Sequence, residues 1–182
     1  MPERRLVVIV AGEIGRTTAR ELTKIIVEGR DQYLAPRVLI AMDSPGGDMD
    51  QAFVLYELLR GMPFHITTHN IGAIRSAANL VFLAGKERLS VLNGAFSFHG
   101  TAYDFGPGRL TAKHLKTVVE ELEGFDKRLQ DVLGSFLELP RQRIESFVES
   151  DQTISAPNAR TWGIVTDIAP FETLTTDAVI VL

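Results

Sequence analysis

The chain has 182 residues, a formal net charge of -4 and no cysteine, with 45% hydrophobic and 23% charged residues. That length suits one domain with a real core, and the balance is that of an ordinary globular protein. The composition excludes disulfides, thiolate metal sites and a cysteine nucleophile, and the acidic balance argues against nucleic acid as a partner. No apolar run reaches the about 18 residues of a membrane span.

Leu6-Val7-Val8-Ile9-Val10 is a continuous β-branched run, the pattern of a strand buried on both faces. It follows Met1-Pro2-Glu3-Arg4-Arg5 too closely and is too short to be a signal peptide, which fits a cytoplasmic protein. After Gly12 to Gly15, the stretch Thr17 to Glu28 has helical spacing, with Leu22, Ile25 and Ile26 on one face. Arg37 to Met42 is a second buried strand and Asp43 to Asp48 a turn. Met49 to Arg60 is a helix with Ala52, Phe53, Leu55, Tyr56 and Leu59 inward, stopped by Pro63. His65 to Asn70 forms a third strand and Ser76 to Ala84 a short apolar helix. Arg88 to Leu92 and Gly94 to His99 are two more strands. Alternation of this kind implies a parallel sheet with right-handed crossovers.

From Leu110 onward the texture changes. Thr111 to Leu139 is helical and rich in charge, with Leu115, Val118, Val119, Leu122, Phe125, Leu129, Val132, Leu133 and Phe136 at helical spacing. That apolar stripe is wider than one neighbouring sheet needs. The helix packs either on its own domain or against another subunit. Arg141 to Val148 is a shorter helix after Pro140, and Ala156 to Gly163 another, with proline early and glycine at its end. Val165 to Leu182 holds two strand-like pieces.

The chemistry gathers around Asn70 to Leu80, where a strand gives way to a helix with Ser76 at the join among small residues. A nucleophile there has room around Oγ and unpaired backbone N–H groups nearby. Alone, Ser76 reads as readily as a helix N-cap. Upstream, Gly46-Gly47 ends Ser44-Pro45-Gly46-Gly47 after the second strand. Such a pair is a common turn, but it can also bare an N–H toward a ligand. With the N–H of Ala77, it would complete an oxyanion hole. Of four histidines, His65, His69, His99 and His114, only His99 ends a strand, where α/β sheets place their sites. An acid must orient that imidazole. Asp151, just before Ile154-Ser155-Ala156-Pro157, is best placed, with Asp43 and Asp104 as competitors.

These four pieces, in this order, resemble the proteolytic subunit of the Clp protease: Ser44 to Gly47, Gly72 to Ser76, His99, and Asp151 to Val165. The resemblance runs from about Val7 to Ile168. It implies a crotonase-like α/β fold, a spiral of ββα units with a projecting "handle" helix at about 111–139, in a single peptidase domain. It also implies a serine endopeptidase with Ser76 as nucleophile, His99 as general base and Asp151 as orienting acid. The N–H groups of Gly47 and Ala77 would hold the oxyanion, with Gly46 beside them. Implied as well are peptide or unfolded-protein substrates, no cofactor or metal, and a homo-oligomeric heptameric ring, single or stacked. An AAA+ ATPase is the implied candidate partner. Some positions depart from the family pattern. Ala77-Ala78 replaces Met-Gly, and Arg75 stands where a small residue is usual. His99-Gly100-Thr101 replaces His-Gln-Pro, which leaves the base but loosens its loop. Gln152 replaces an arginine that helps rings pair. The first strand begins almost at once, leaving out the segment that in the family lines the axial pore and engages the ATPase.

Three other readings are open: an acyl-CoA enzyme of the same superfold, disfavoured by the lack of a basic cluster for CoA phosphates; a Ser-Lys peptidase using Lys86 or Lys113; and an inactive or conditional ring subunit.

Overall fold

The structure is a computed structural model describing residues 4–137 and 139–182, with the Arg30 side chain left out. Met1 to Glu3, ahead of the expected first strand, and Glu138, within the expected long helix, lie outside the described residues. The chain forms two compact units. One runs to Ser97 and resumes over Thr153–Leu182; the other is Phe98–Gln152.

The first unit is built on a parallel sheet. Its elements in chain order are β1 (Arg5–Ala11), α1 (Arg16–Lys24) with a π-helical turn over Ile25–Gly29 and a short α2 (Arg30–Gln32), β2 (Arg37–Ser44), α3 (Met49–Gly61), β3 (His65–Arg75), α4 (Ala78–Leu83), β4 (Glu87–Ser90) and β5 (Ala95–Phe98). After the second unit come β6 (Gln152–Ser155), α7 (Ala156–Thr161), β7 (Asp167–Ile168) and β8 (Ala178–Val181). The sheet order is β6-β5-β3-β2-β1-β8, with β4 against β3 and β7 against β4. β1 sits between β2 and β8, which explains its unbroken apolar run: Leu6, Val7 and Val8 are fully buried. The five residues expected inward on α3 are all buried, and Asp48 caps this helix by accepting the Gln51 N–H at 3.1 Å.

β3 extends five residues beyond the expected Asn70 because it serves two neighbours in turn. Thr67 to Asn70 pair with β4, and Ala73 to Arg75 pair with β5. The switch is made at a bulge, where the β2 register passes from Met42 opposite Asn70 to Ser44 opposite Ile74. Two side chains satisfy the backbone there: Asn70 accepts the Gly72 N–H and Asp43 accepts the Ala73 N–H, both at 2.9 Å. Asp43, a competitor for the orienting acid, is thus the bulge's cap. The bulge carries β3 to Arg75, immediately before Ser76. β6 was not foreseen; it is only four residues long.

Elsewhere in this unit, His69 is buried and its Nε2–H donates to the Ala169 carbonyl at 3.1 Å. Burial holds its imidazole below the ordinary value, against the opposing pull of the Ala169 hydrogen bond and the Glu87 charge.

The second unit is helical: α5 (Ala112–Gly134) and α6 (Arg141–Glu149). Thr111 caps α5 by accepting the His114 N–H. The helix stops at Gly134 rather than continuing to 139. The N–H groups of Ser135 and Phe136 turn back three residues, to the Val132 and Leu133 carbonyls, and the Ser135 hydroxyl also donates to Val132. These tighter bonds end the α-helical ladder, and Pro140 then opens α6. Leu129 and Leu133 of α5 and Ile144, Phe147 and Val148 of α6 are buried in this unit, with Phe98 and Leu137. Toward its N-terminus α5 leaves Leu115 and Val119 43% and 50% exposed.

Candidate active site

Three strands deliver the first unit's residues. β2 ends at Ser44 and hands over to Pro45-Gly46-Gly47; β3 ends at Arg75 and hands over to Ser76; β5 runs beside that end of β3. All are carboxyl ends of parallel strands, where the chain must turn and backbone groups come free.

Ser76 occupies the left-handed region at φ 50, which few non-glycine residues adopt. It is held there from both sides. Its N–H donates to the Ser97 carbonyl of β5 at 3.0 Å, and its own carbonyl accepts the Asn79 N–H at 3.0 Å. The strained turn makes strand, serine and helix meet abruptly, and α4 anchors it by fully burying Leu80, Val81, Phe82 and Leu83. Ala77 is the N-cap of α4, and its N–H donates to no acceptor among the described residues.

The diglycine lies against this turn. Gly46 has φ 102 and Gly47 φ 139, both left-handed values that glycine adopts freely. A Cβ on Gly46 would stand 2.6 Å from the Ser76 Cβ and 3.1 Å from the Ala77 nitrogen. Ser44, buried beneath, donates its hydroxyl to the Gly12 carbonyl at 2.6 Å and accepts the Gly46 N–H at 3.2 Å. Gly47 pairs with Ile14 in an isolated parallel bridge. The bridge uses the Gly46 carbonyl (2.7 Å from the Ile14 nitrogen) and the Asp48 N–H (2.8 Å from the Ile14 oxygen). Gly47's own N–H therefore points to the opposite side of the segment, unpaired among the described residues. The first unit so brings Ser76 and Ala77 against the diglycine, and the Gly47 and Ala77 N–H groups have no acceptor among the described residues.

His99 and Asp151 belong to the second unit. His99 Nδ1 lies 2.7 Å from the Gly100 carbonyl. A carbonyl only accepts, so Nδ1 is the donor in this contact, and Nε2 is the ring nitrogen that remains for a general base. Asp151 is exposed, with φ 40, and its carboxylate accepts no hydrogen bond among the described residues. The histidine and the expected orienting acid are thus not joined by a hydrogen bond. Gln152 donates its side-chain amide to the Ser150 hydroxyl at 2.9 Å. Among the other candidates, Asp104 is exposed and Lys86 donates to the Phe64 carbonyl at 3.3 Å.

The loop after His99 is tied more firmly than its sequence suggests. The Thr101 N–H and hydroxyl both donate to Asp126 Oδ1 of α5, at 2.8 and 2.7 Å. Asp126 escaped the sequence reading, being one charge among many on a solvated helix, 25 residues from its partner. Among the described residues no group of three or more His, Asp or Glu could hold a metal ion, and no helix is long and apolar enough to cross a membrane.

The fold is an α/β fold with a long helix, α5, and it is that of ClpP. A model of the Clp protease family matches residues 3–171, and the chain belongs to that family. Similar curated proteins include the ATP-dependent Clp protease proteolytic subunit 2 of Borreliella burgdorferi, 25% identical over 88% of this chain and 81% of that protein. The subunit 2 of Treponema denticola is 21% identical over 89% and 80%. Among solved structures, a ClpP1 point mutant from Listeria monocytogenes superposes with a TM-score of 0.78 at 18% identity, over 90% of each chain. At the level of the family, the chain is a ClpP-type peptidase subunit.

Proposed function

We propose that this chain is a serine endopeptidase that cleaves peptides or unfolded proteins through an acyl-enzyme, with both units acting as one peptidase domain. The observation that carries the reading is the left-handed Ser76 packed against Gly46, with the N–H groups of Gly47 and Ala77 unpaired among the described residues. His99 takes the Ser76 proton on Nε2, the nitrogen not engaged with Gly100, as Oγ attacks a peptide carbonyl. The oxyanion settles on the Gly47 and Ala77 N–H groups, each such donor contributing about 10²–10³ in rate. His99 then returns the proton to the leaving amine, and water hydrolyses the acyl-enzyme. Asp151 holds the imidazolium once Nδ1 turns from Gly100 to its carboxylate. No cofactor enters this chemistry. The exposed Leu115 and Val119 favour a homo-oligomer. Family membership favours a cytoplasmic ring of the Clp type, heptameric and single or stacked, with an AAA+ ATPase as partner.

A second reading has its own support. With Nδ1 on the Gly100 carbonyl and Asp151 without a hydrogen-bond partner among the described residues, the acid–base pair is unassembled, as in a conditional subunit that becomes active only on assembly. Hydrolysis of a fluorogenic peptide tests both. Wild-type activity that falls by about 10³-fold or more in Ser76→Ala and His99→Ala is the expected result. Activity that survives Ser76→Ala contradicts the serine mechanism. Activity that appears only at concentrations where the chain oligomerises selects the conditional form.

A further inference from the structure

We propose that Asn79 is a positioning residue whose side-chain amide locks the Ser76–Ala77 peptide and so aims the Ala77 N–H. The inference rests on the reading of Ser76 as nucleophile and Ala77 as oxyanion donor, and it adds a residue which that reading leaves without a role.

Asn79 lies in the first turn of α4 with no solvent exposure. Its Nδ2 donates two hydrogen bonds, to the Ser76 carbonyl and to the Ser97 carbonyl of β5, both at 2.9 Å. The same Ser97 oxygen accepts the Ser76 N–H, and the same Ser76 oxygen accepts the Asn79 backbone N–H. One amide thereby bridges the end of β5 and the carbonyl of the left-handed serine. Both of its N–H groups are used, and Oδ1 is left buried with no hydrogen-bond partner among the described residues. Buried polar atoms normally find partners, and an apolar side chain here, like those of the next four residues, would leave no orphan acceptor. The two donors are what this position supplies.

Their effect passes to Ala77 through covalent geometry. The peptide group is planar and trans, so the Ser76 carbonyl and the Ala77 N–H point in opposite directions. Pinning the carbonyl toward Asn79 and Ser97 turns the N–H away from them. A Cβ on Gly46 would lie 3.1 Å from the Ala77 nitrogen, so the diglycine adjoins this donor. Without the clamp, Ser76 can relax from φ 50 into the right-handed region favoured by non-glycine residues, extending α4 by a turn position and rotating the donor out of aim.

The test is steady-state hydrolysis of a fluorogenic peptide by the full chain, comparing wild type, Asn79→Leu, Asn79→Asp and Ser76→Ala below their unfolding midpoints. Asn79→Leu keeps the bulk and removes both donors; kcat is expected to fall at least about tenfold with KM within about twofold, the pattern of an interaction made in the transition state. Asn79→Asp keeps the shape, and its carboxyl donates only when protonated. Its kcat should therefore fall as pH rises through that carboxyl's titration, an arm the wild type lacks. Asn79 variants that lose thermal stability but keep the wild-type kcat, KM and pH profile overturn the proposal, and with Ser76→Ala inactive they do so while the serine mechanism stands. Turnover that persists in Ser76→Ala overturns both.

Discussion

Gly46 and Gly47 are equally tight points of the candidate site, and Gly46 is the one packed against the serine. The Gly46 backbone passes so close to the serine turn that any side chain collides with the Ser76 Cβ at 2.6 Å and the Arg75 carbonyl at 2.8 Å. Neither contact is the end of a flexible side chain that could swing aside. Gly46→Ala also imposes a Cβ on a backbone at φ 102. The variant is expected to lose about 1–3 kcal/mol of stability by chemical denaturation, and peptide hydrolysis should fall at least about tenfold as Ser76 is displaced. Wild-type stability and turnover in Gly46→Ala would contradict this packing. Ser76, the diglycine and Ala77 were legible in the sequence because each lies in a contiguous strand–turn pattern that local chemistry explains. Asn79 and Asp126 were not. Their importance depends on partners 18 and 25 residues away, and nothing in a single chain's local pattern pairs them.

Among the elements, β3 and α5 carry the most instructive differences from expectation. The strand run of β3 looked finished at Asn70 because Asn70-Ile71-Gly72 is turn-like. The strand continues because the Asn70 and Asp43 side chains satisfy the bulged backbone while it changes partners. The apolar stripe of α5 predicted a long helix after Leu110, but the stripe runs past Gly134, where three-residue hydrogen bonds replace the helical ladder. The segment after His99 was expected to be loose, since glycine and threonine replace a glutamine–proline pair. Instead Asp126 fastens it to α5 through two bonds to Thr101. Asp126→Ala removes both. It should cost about 1–3 kcal/mol, because a backbone N–H loses its partner, and should raise amide hydrogen exchange across His99 to Tyr103. Unchanged protection there would show that the loop is held by something else.

At the level of the whole molecule, the alternation of strands and helices was legible from hydrophobic period alone, and the order of four short motifs pointed to the family. The way in which the units combine into a working peptidase was not legible, since assembly depends on surfaces no single-chain pattern describes. Leu115 and Val119 lie one turn apart on α5, and Leu110, Tyr103 and Phe105 add further exposed apolar surface in the same unit. Such a concentration is unusual on a chain that works alone. Mass photometry is expected to show a multimer for the wild type and a shift toward monomer for Leu115→Glu with Val119→Glu. A wild-type chain that stays monomeric at micromolar concentration would contradict assembly through this surface. The most direct test of the serine mechanism is covalent labelling of the full chain by a fluorophosphonate, read by intact mass and peptide mapping. One adduct per chain on Ser76, absent from Ser76→Ala, is the predicted result. An adduct on another residue, or labelling that persists in Ser76→Ala, would contradict it.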